Sequence, residues 1–259
     1  MSPPSQTVPA FTSHNILLDN GRYTRSADLP LLEQGGWFVS AKRVLDMVFP
    51  GERERIEICD LGCLEGGYAT GFARQGFSAF GIEVRDLNFR CCEYVKANTN
   101  LPNLSFFQDD VVNIGRYEPF DVAFCCGLLY HLDRPKEFLE ELSQKTRRVL
   151  ILQTHFSLTD GHPSNFSLSA LSVNEGLRGR WYTEFSAGAS MEQREKKRWH
   201  SWQNDASFWV KREDLIGLIY DLGFTCVFEQ FDSFAPHITA KLDSEYASAL
   251  RGTFVGVRV

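Results

Sequence analysis

The segment from Ile56 to Glu83 constrains the fold of this 259-residue chain more than any other part of it. An apolar run ends in Asp60, and a glycine-bearing turn, a helix-like stretch and a second apolar run ending in Glu83 follow. Glycine after a strand lets the backbone turn tightly and approach a ligand without a Cβ in the way. A carboxylate about 20 residues further on, at the tip of the next parallel strand, can accept hydrogen bonds from a ribose diol. The segment therefore predicts a nucleotide-binding β–α–β unit.

Later segments place more acidic or small residues at predicted strand ends. Leu104–Phe107 predicts a short strand that leads into Asp109 and Asp110. Phe120–Cys126 is almost continuously apolar, which is typical of a central strand covered on both faces, and Gly127 follows it. Right-handed crossovers bring the carboxyl ends of such strands to one edge of the sheet, where the ligands of doubly wound sheets bind. These residues are therefore expected to surround one site.

The rest of the chain has the periodicity of further α/β units. Helical spacing of apolar residues predicts helices at Pro30–Phe49, Asp86–Ala97, Lys136–Thr146 and Lys211–Gly223. Apolar or alternating runs predict strands at Arg148–Gln153, Phe224–Phe231 and Thr253–Val259. We expect one α/β domain over residues 28–259, with an inserted lid at about 155–208, where the sequence is rich in aromatic residues. Residues 1–27, rich in Ser, Thr, Pro and Asn, predict a flexible N-terminal arm.

The turn after Asp60 departs from the GxGxxG dinucleotide pattern and resembles motif I of the class I S-adenosylmethionine-dependent methyltransferases, Asp/Glu-x-Gly-x-Gly-x-Gly. Leu64 stands where that pattern has its middle glycine. The stretch from Phe120 resembles motif IV of the same family, Phe-Asp-x-Val followed by a small-residue turn and often a His. The resemblance covers roughly Gly36–Gln153 and Lys211–Val259. It implies a doubly wound, Rossmann-like, seven-stranded sheet, with helices on both faces and the last strand antiparallel between the fifth and sixth.

The resemblance also implies S-adenosyl-L-methionine as the cofactor and S-adenosyl-L-homocysteine as the product. The turn Asp60–Gly67 would cradle the methionine end and Glu83 would hold the ribose. Asp110, with Asp109 as the alternative, would accept a hydrogen bond from the adenine amine. The cofactor-binding residues implied in this way are Asp60, Gly62, Cys63, Leu64, Gly66, Glu83, Val84, Asp109, Asp110, Val111, Cys126 and Gly127.

A methyl sulfonium is already an activated electrophile, so the protein must align a nucleophile, exclude water and deprotonate a hydroxyl where the nucleophile is one. His131 and His155 follow the fourth and fifth predicted strands, and His200 lies in the insertion. Each is a candidate general base, because imidazole titrates near neutral pH; a packing role is the alternative for each. An amine or an already acidic hydroxyl would need no base. Aromatic rings bind flat or cationic ligands. The candidate substrate contacts of this kind are Trp199, Trp202 and Tyr130.

The composition indicates which kinds of partner and which cellular compartment to expect. The formal net charge of −6 argues against a nucleic-acid partner, which needs a positive surface. Seven cysteines without a CxxC motif predict neither a disulfide framework nor a metal site, and they favour a reducing, cytoplasmic location. No apolar run reaches about 18 residues, so no membrane span is expected, and the N-terminus lacks the pattern of a secretory signal. The oligomeric state stays open.

Methyl transfer to an O or N nucleophile of a small molecule is the leading hypothesis. Gly127–Pro135 (GLLYHLDRP) resembles a segment of the tRNA wobble-uridine carboxymethyltransferases, which use a carboxylated form of the cofactor, although the acidic charge weighs against that alternative. Leu64 in motif I leaves open a non-catalytic cofactor-binding subunit. A nicotinamide oxidoreductase is a further alternative.

Overall fold

The computed structural model describes residues 7–51, 53–159 and 165–259. The strands in these ranges are β1 (Glu57–Leu61), β2 (Ser78–Glu83), β3 (Leu104–Gln108), β4 (Phe120–Cys126), β5 (Thr146–His155), β6 (Ser172–Asn174), β7 (Leu177–Thr183), β8 (Ala206–Val210), β9 (Cys226–Gln230) and β10 (Arg251–Val257). Seven of them form the main sheet, in the order β3–β2–β1–β4–β5–β10–β9. β10 runs antiparallel to both of its neighbours, and the other pairs are parallel. This confirms the doubly wound seven-stranded sheet with the last strand inserted antiparallel.

Helices cover both faces of the main sheet, as the resemblance implies. The helices in the described ranges are α1 (Gly36–Val48), α2 (Gly67–Arg74), α3 (Asp86–Ala97), α4 (Pro135–Lys145), α5 (Met191–Lys196), α6 (Arg212–Asp221), α7 (Ile238–Lys241) and α8 (Ala247–Ala249), of which α5 belongs to the segment between β5 and α6. In β1, Ile58 packs into the apolar layer under α1 and α2, while Cys59 and Leu61 pack into the layer under α4 and α6. Successive side chains of a strand point to opposite faces, which explains why the central strands are apolar at almost every position.

The segment before α1 corrects the prediction of a flexible arm. Residues 1–6 lie outside the described residues. Ile16 and Leu18 are buried against Tyr94 and Val95 of α3. The buried Asn15 side chain donates hydrogen bonds to three backbone carbonyls of its own segment. The segment is therefore fixed to the domain, because its polar groups satisfy one another and its few apolar side chains reach the core.

The segment between β5 and α6 forms a second, three-stranded sheet in the order β6–β7–β8, together with α5. Its strands pair antiparallel. The backbone N–H of Phe208 in β8 donates to the carbonyl of Leu132, which joins this sheet to the loop after β4. Residues 160–164 of the expected lid lie outside the described ranges. No helix within the described chain is long and apolar enough to cross a membrane.

Candidate active site

A cavity of about 260 Å³ opens at the carboxyl edge of the main sheet. The strand ends contribute Asp60, Gly62, Cys63, Leu64, Glu83, Val84, Asp110, Val111, Cys126 and Gly127 to its lining. The loop after β4 contributes Leu128 and Tyr130–Asp133, the insertion contributes Arg198–Asn204, and the N-terminal segment contributes Ser13 and His14. The structure therefore brings together most of the residues that the sequence predicts at one site, and it adds a cover from two other segments.

Glu83, at the end of β2, presents a buried carboxylate to this cavity. The backbone N–H groups of Leu64 and Arg85 donate to its Oε2 and Oε1 atoms, at 3.0 and 2.9 Å. Burial raises the pKa of Glu83 above its usual value, against these hydrogen bonds and the Arg85 guanidinium, which lower it. A carboxylate oxygen has more than one acceptor site. Glu83 can therefore accept two further hydrogen bonds from a diol.

Leu64 explains how the turn tolerates the loss of the middle glycine. Its φ of +54° lies in the left-handed region, as do those of Gly62 (+66°) and Gly66 (+77°). For a residue with a Cβ this costs about 1–2 kcal/mol. In this conformation the Leu64 N–H donates a hydrogen bond to Glu83. The backbone of the turn therefore has the left-handed conformation that glycine adopts readily, although the residue is leucine.

Gly66 has a packing role instead of the predicted position in the cavity. A Cβ on Gly66 would lie 2.6 Å from the Phe106 ring, and Gly66 does not line the cavity. The close approach of the turn to β3 therefore requires glycine here, whatever the ligand.

Asp60, at the end of β1, is the second buried carboxylate of the cavity. Its Oδ2 atom accepts a hydrogen bond from the backbone N–H of Ala69 in α2, at 3.0 Å. Burial, reinforced by the negative charge of Glu83, raises the pKa of Asp60 to about 7. A cationic group bound beside it would favour the ionised form.

At the end of β3, the neighbouring residues Asp109 and Asp110 have different surroundings. Asp110 lines the cavity, and its Oδ2 atom accepts a hydrogen bond from Gln203 Nε2 of the insertion, at 2.6 Å. Asp109 is absent from the lining, and it instead accepts hydrogen bonds from the side chains of Asn113 and Tyr117. The geometry therefore favours Asp110 over Asp109 as a ligand contact.

His131, on the loop after β4, lines the cavity and is held by a carboxylate from the insertion. Its Nδ1 atom lies 2.7 Å from Oε1 of Glu184, whose side chain is fully buried. The Ser207 hydroxyl and the Ser201 backbone N–H also donate to Glu184. Burial alone would raise the pKa of Glu184, but the hydrogen bonds from His131 and Ser207 outweigh it and lower that pKa below its usual value. The pair is thus an imidazole oriented by an ionised carboxylate.

The other two histidines differ from His131. His155 does not line the cavity: its ring stacks on Trp209 at 4.6 Å between centroids, and its Nδ1 lies 2.8 Å from the Ala249 carbonyl oxygen. Burial and the charge of Arg251 lower the pKa of His155 to about 3. The structure thus corrects the prediction of His155 as a candidate base. His200 lines the cavity, and burial lowers its pKa too, but no side-chain carboxylate within the described ranges hydrogen-bonds to its ring.

The three aromatic candidates, Trp199, Trp202 and Tyr130, all line the cavity. The face of Trp202 is covered by the Arg85 guanidinium, 5.3 Å from the ring centroid. Sequence reasoning missed several other lining or orienting residues: His14, Tyr68, Arg85, Glu184 and Arg251. Arg85 had a sequence signal, since it follows Glu83 by two positions at a strand end. Glu184 had none, because it approaches His131 only through the folding of the insertion.

The strand order and a carboxylate-lined cavity at the carboxyl edge define a Rossmann-like methyltransferase fold. The family model described as "Methyltransferase domain" matches residues 35–229. The chain therefore belongs to the class I S-adenosylmethionine-dependent methyltransferase family.

Solved structures with the same fold include the N-terminal domain of EvdMO1. With SAH (S-adenosylhomocysteine) bound, it has a TM-score of 0.63 and 23% identity, over 87% of this chain and 82% of that chain. In the presence of SAH and D-fucose, the values are 0.66 and 22%, over 95% and 90%. A 1,6-didemethyltoxoflavin-N1-methyltransferase of Burkholderia thailandensis has a TM-score of 0.51 at 13% identity, over 88% and 80%. These likenesses show the fold.

Two curated relatives are ubiquinone biosynthesis O-methyltransferases of Rickettsia. The protein of Rickettsia canadensis is 26% identical over 102 residues, which are 39% of this chain and 43% of its own length. The protein of Rickettsia conorii is 23% identical over 135 residues, which are 51% and 46%. The chain thus spans a little under half the length of these relatives.

Proposed function

We propose that this chain transfers a methyl group from S-adenosylmethionine to a hydroxyl group of a small molecule. The observation that carries the proposal is His131, which lines the cavity and is oriented by Glu184 behind it, since a neutral amine acceptor would have no need of an oriented base. The O-methyltransferase activity named for the two Rickettsia relatives and the SAH bound to the EvdMO1 domain support the reaction class and the cofactor.

The residues at the strand ends fit this cofactor. Glu83 would accept hydrogen bonds from the ribose hydroxyls, and Asp60 would face the ammonium group of the methionine part. Asp110 would accept a hydrogen bond from the adenine amine if Gln203 turned away from it. The bound cofactor would supply a methyl group on a positively charged sulfur, which is an activated electrophile.

His131 would take the proton of the attacking hydroxyl. Glu184 holds the Nδ1 side of its ring, so Nε2 is the nitrogen that a substrate can use. The ionised Glu184 stabilises the imidazolium that results, and the buried Ser207 hydroxyl keeps that carboxylate in place. The segment Arg198–Asn204 covers the cavity and keeps water from the reacting groups.

The cavity volume supports a small acceptor. At about 260 Å³ it lies just below the usual range of ligand pockets, about 300–1,000 Å³, and the cofactor and the acceptor would share it. A covered cavity of this kind suits a small molecule better than a polymer.

The test is an assay of methyl transfer from radioactively labelled S-adenosylmethionine to phenols, catechols and the matched anilines. We expect label in hydroxyl acceptors, its loss in His131→Gln, and its retention in His237→Gln, a matched control at an exposed position. Label that enters anilines alone, at the same rate in both variants, would refute the role of His131. A chain that binds no S-adenosylhomocysteine would refute the proposal as a whole.

The same assay carries a tRNA arm across a salt series. Salt-sensitive binding and labelling of tRNA would favour the nucleic-acid alternative over a small-molecule acceptor.

A further inference from the structure

Arg251 places a cation in the cavity without a carboxylate partner. It lies at the start of β10, and because that strand is antiparallel, its beginning is at the same edge as the ends of the parallel strands. Its Nη2 atom donates a hydrogen bond to Gln153 Oε1, at 2.8 Å. Its Nε atom is buried and has no hydrogen-bond partner among the residues that the structure describes. Within the same residues, Arg251 forms no ion pair with an Asp or Glu side chain.

The surroundings hold this guanidinium in place but do not neutralise it. Trp37 and Tyr130 present their rings to it, with centroids 5.5 and 5.4 Å from its Cζ atom. Gly127, at the end of β4, leaves room beside it, since a Cβ there would lie 3.1 Å from Nη2. Arginine stays charged in proteins, and even a half-buried cation gains free energy when an anion binds beside it. The arrangement is therefore prepared for an anion.

The other arginines of the cavity wall are already engaged. Arg85 donates to the carbonyl groups of Arg194, His200 and Ser201, and Arg198 lies 3.4 Å from Glu65. Arg251 thus differs from them, because its hydrogen bond goes to a neutral side-chain amide and its Nε atom has no partner among the described residues. A planar guanidinium matches a carboxylate, which can accept two parallel hydrogen bonds from it. A single such cation suits a monoanion better than a phosphate dianion.

We propose that Arg251 binds a carboxylate group inside the cavity. The inference rests on the proposed function, and the carboxylate has two possible sources. It belongs either to the methionine part of the cofactor or to an acidic acceptor that lies beside Tyr130 and His131. Either carboxylate would give the guanidinium the anionic partner that it lacks among the described residues.

The first arm of the test measures binding of S-adenosylhomocysteine and of 5′-methylthioadenosine, which lacks the amino-acid part. If the carboxylate belongs to the cofactor, Arg251→Gln lowers the affinity for S-adenosylhomocysteine by about tenfold or more and leaves the affinity for 5′-methylthioadenosine unchanged. Arg251→Lys keeps the charge and recovers part of the loss. Arg90→Gln is the matched control, because Arg90 is exposed and pairs only with Asp86 among the described residues.

The second arm compares benzoate with benzamide as probes, on the ligand-free chain and on its complex with S-adenosylhomocysteine. If the carboxylate belongs to the acceptor, the wild-type chain binds benzoate about tenfold or more tightly than benzamide, and Arg251→Gln abolishes that preference. The proposal is overturned if Arg251→Gln changes neither the affinity for S-adenosylhomocysteine nor the preference for benzoate. A wild-type chain that binds no S-adenosylhomocysteine refutes the proposed function instead, and the benzoate arm on the ligand-free chain still decides the role of Arg251.

Discussion

At the residue scale, buried carboxylates in and behind the wall of the cavity have opposite electrostatic surroundings. Burial raises the pKa of both Asp60 and Glu83, which face the cavity with backbone N–H groups as their main partners. Glu184 is also buried, but the hydrogen bonds that it receives from His131 and Ser207 lower its pKa. Glu184 therefore stays ionised at neutral pH, whereas Asp60 changes its charge there. The first property suits a residue that orients a base, and the second suits one that meets a cationic ligand.

The first prediction concerns the His131–Glu184 pair. We expect His131→Gln to lower kcat by about a hundredfold, because a positioned general base contributes about that factor or more. Glu184→Gln should lower kcat as well, since a neutral amide cannot stabilise an imidazolium. Affinity for S-adenosylhomocysteine should not change in either variant, and steady-state kinetics with calorimetry would separate the two quantities. A weaker affinity with an unchanged kcat would show that the pair only supports the cavity wall.

The second prediction concerns stability against pH at Asp60. Its pKa of about 7 in the folded chain exceeds the unfolded value of about 3.9, so the folded state binds the proton more tightly. The stability that this proton gives is fully present below pH 4 and is lost as the pH rises through 7. Asp60→Asn should therefore raise the free energy of unfolding at pH 8 by about 2–4 kcal/mol relative to its effect at pH 4.

Urea denaturation at the two pH values measures this difference. Asp221→Asn, at an exposed position on α6, is the control and should show no such pH dependence. The same Asp60→Asn variant should bind S-adenosylmethionine more weakly at pH 8. A variant that is destabilised equally at both pH values would contradict the argument.

At the element scale, the turn before α2 holds the N-terminal segment to the domain. Glu65 in this turn is fully buried. Its carboxylate accepts hydrogen bonds from the backbone N–H groups of Thr12, Ser13 and His14. Arg198 of the insertion lies beside the same carboxylate. One side chain of the turn thus fastens two of the segments that cover the cavity.

The third prediction concerns Glu65→Ala. It should lower the free energy of unfolding by about 2–4 kcal/mol, because it leaves buried N–H groups without acceptors. It should also speed tryptic cleavage after Arg22 and Arg25, which are exposed and lie in the segment that Glu65 fastens. Limited proteolysis and urea denaturation check both effects, with Glu93→Ala, at an exposed position on α3, as the control. Equal cleavage rates in the two variants would show that the buried residues around Ile16 hold the segment by themselves.

At the scale of the whole molecule, the sequence predicts the features that depend on the central sheet, which are its strands and the residues at their ends. Each strand end is marked by the residue that follows an apolar run, so Asp60, Glu83, Asp110 and Gly127 could be placed at one edge from the order of elements alone. Two neighbouring aspartates could not be told apart in this way, because a single residue of register decides which one points inward.

Contacts between distant segments escaped the sequence for a physical reason. His131 meets Glu184 across 53 residues, and Arg251 reaches the cavity from the last strand. No periodicity links such positions, because the folding of the insertion places Glu184 and the antiparallel pairing of β10 with β5 places Arg251. The N-terminal segment has a polar composition typical of a loose arm, yet its polar groups find partners within the fold. The composition of a segment carries no information about the surface on which the segment packs, so it could not predict that this segment is ordered.

The bonds between the insertion and the strand ends have a kinetic consequence. The Gln203 side chain donates a hydrogen bond to Asp110. Arg85, two residues beyond Glu83, donates hydrogen bonds to the carbonyl groups of His200 and Ser201. A nucleoside held by Glu83 and Asp110 would lie beneath these bonds, so its departure requires them to open. Release of the spent cofactor, rather than the chemical step, should then limit turnover.

The fourth prediction is therefore a pre-steady-state burst, with about one methyl transferred per chain before the slower steady rate begins. Rapid-quench measurement of labelled product should show it. Gln203→Ala, which removes one of the bonds, should raise the steady rate and shrink the burst. A linear time course in the wild-type chain would mean that the segment Arg198–Asn204 opens faster than the methyl group moves. If a burst is seen, the rate at which this segment opens sets the rate of turnover. If the time course is linear, the segment serves only to keep water out of the cavity.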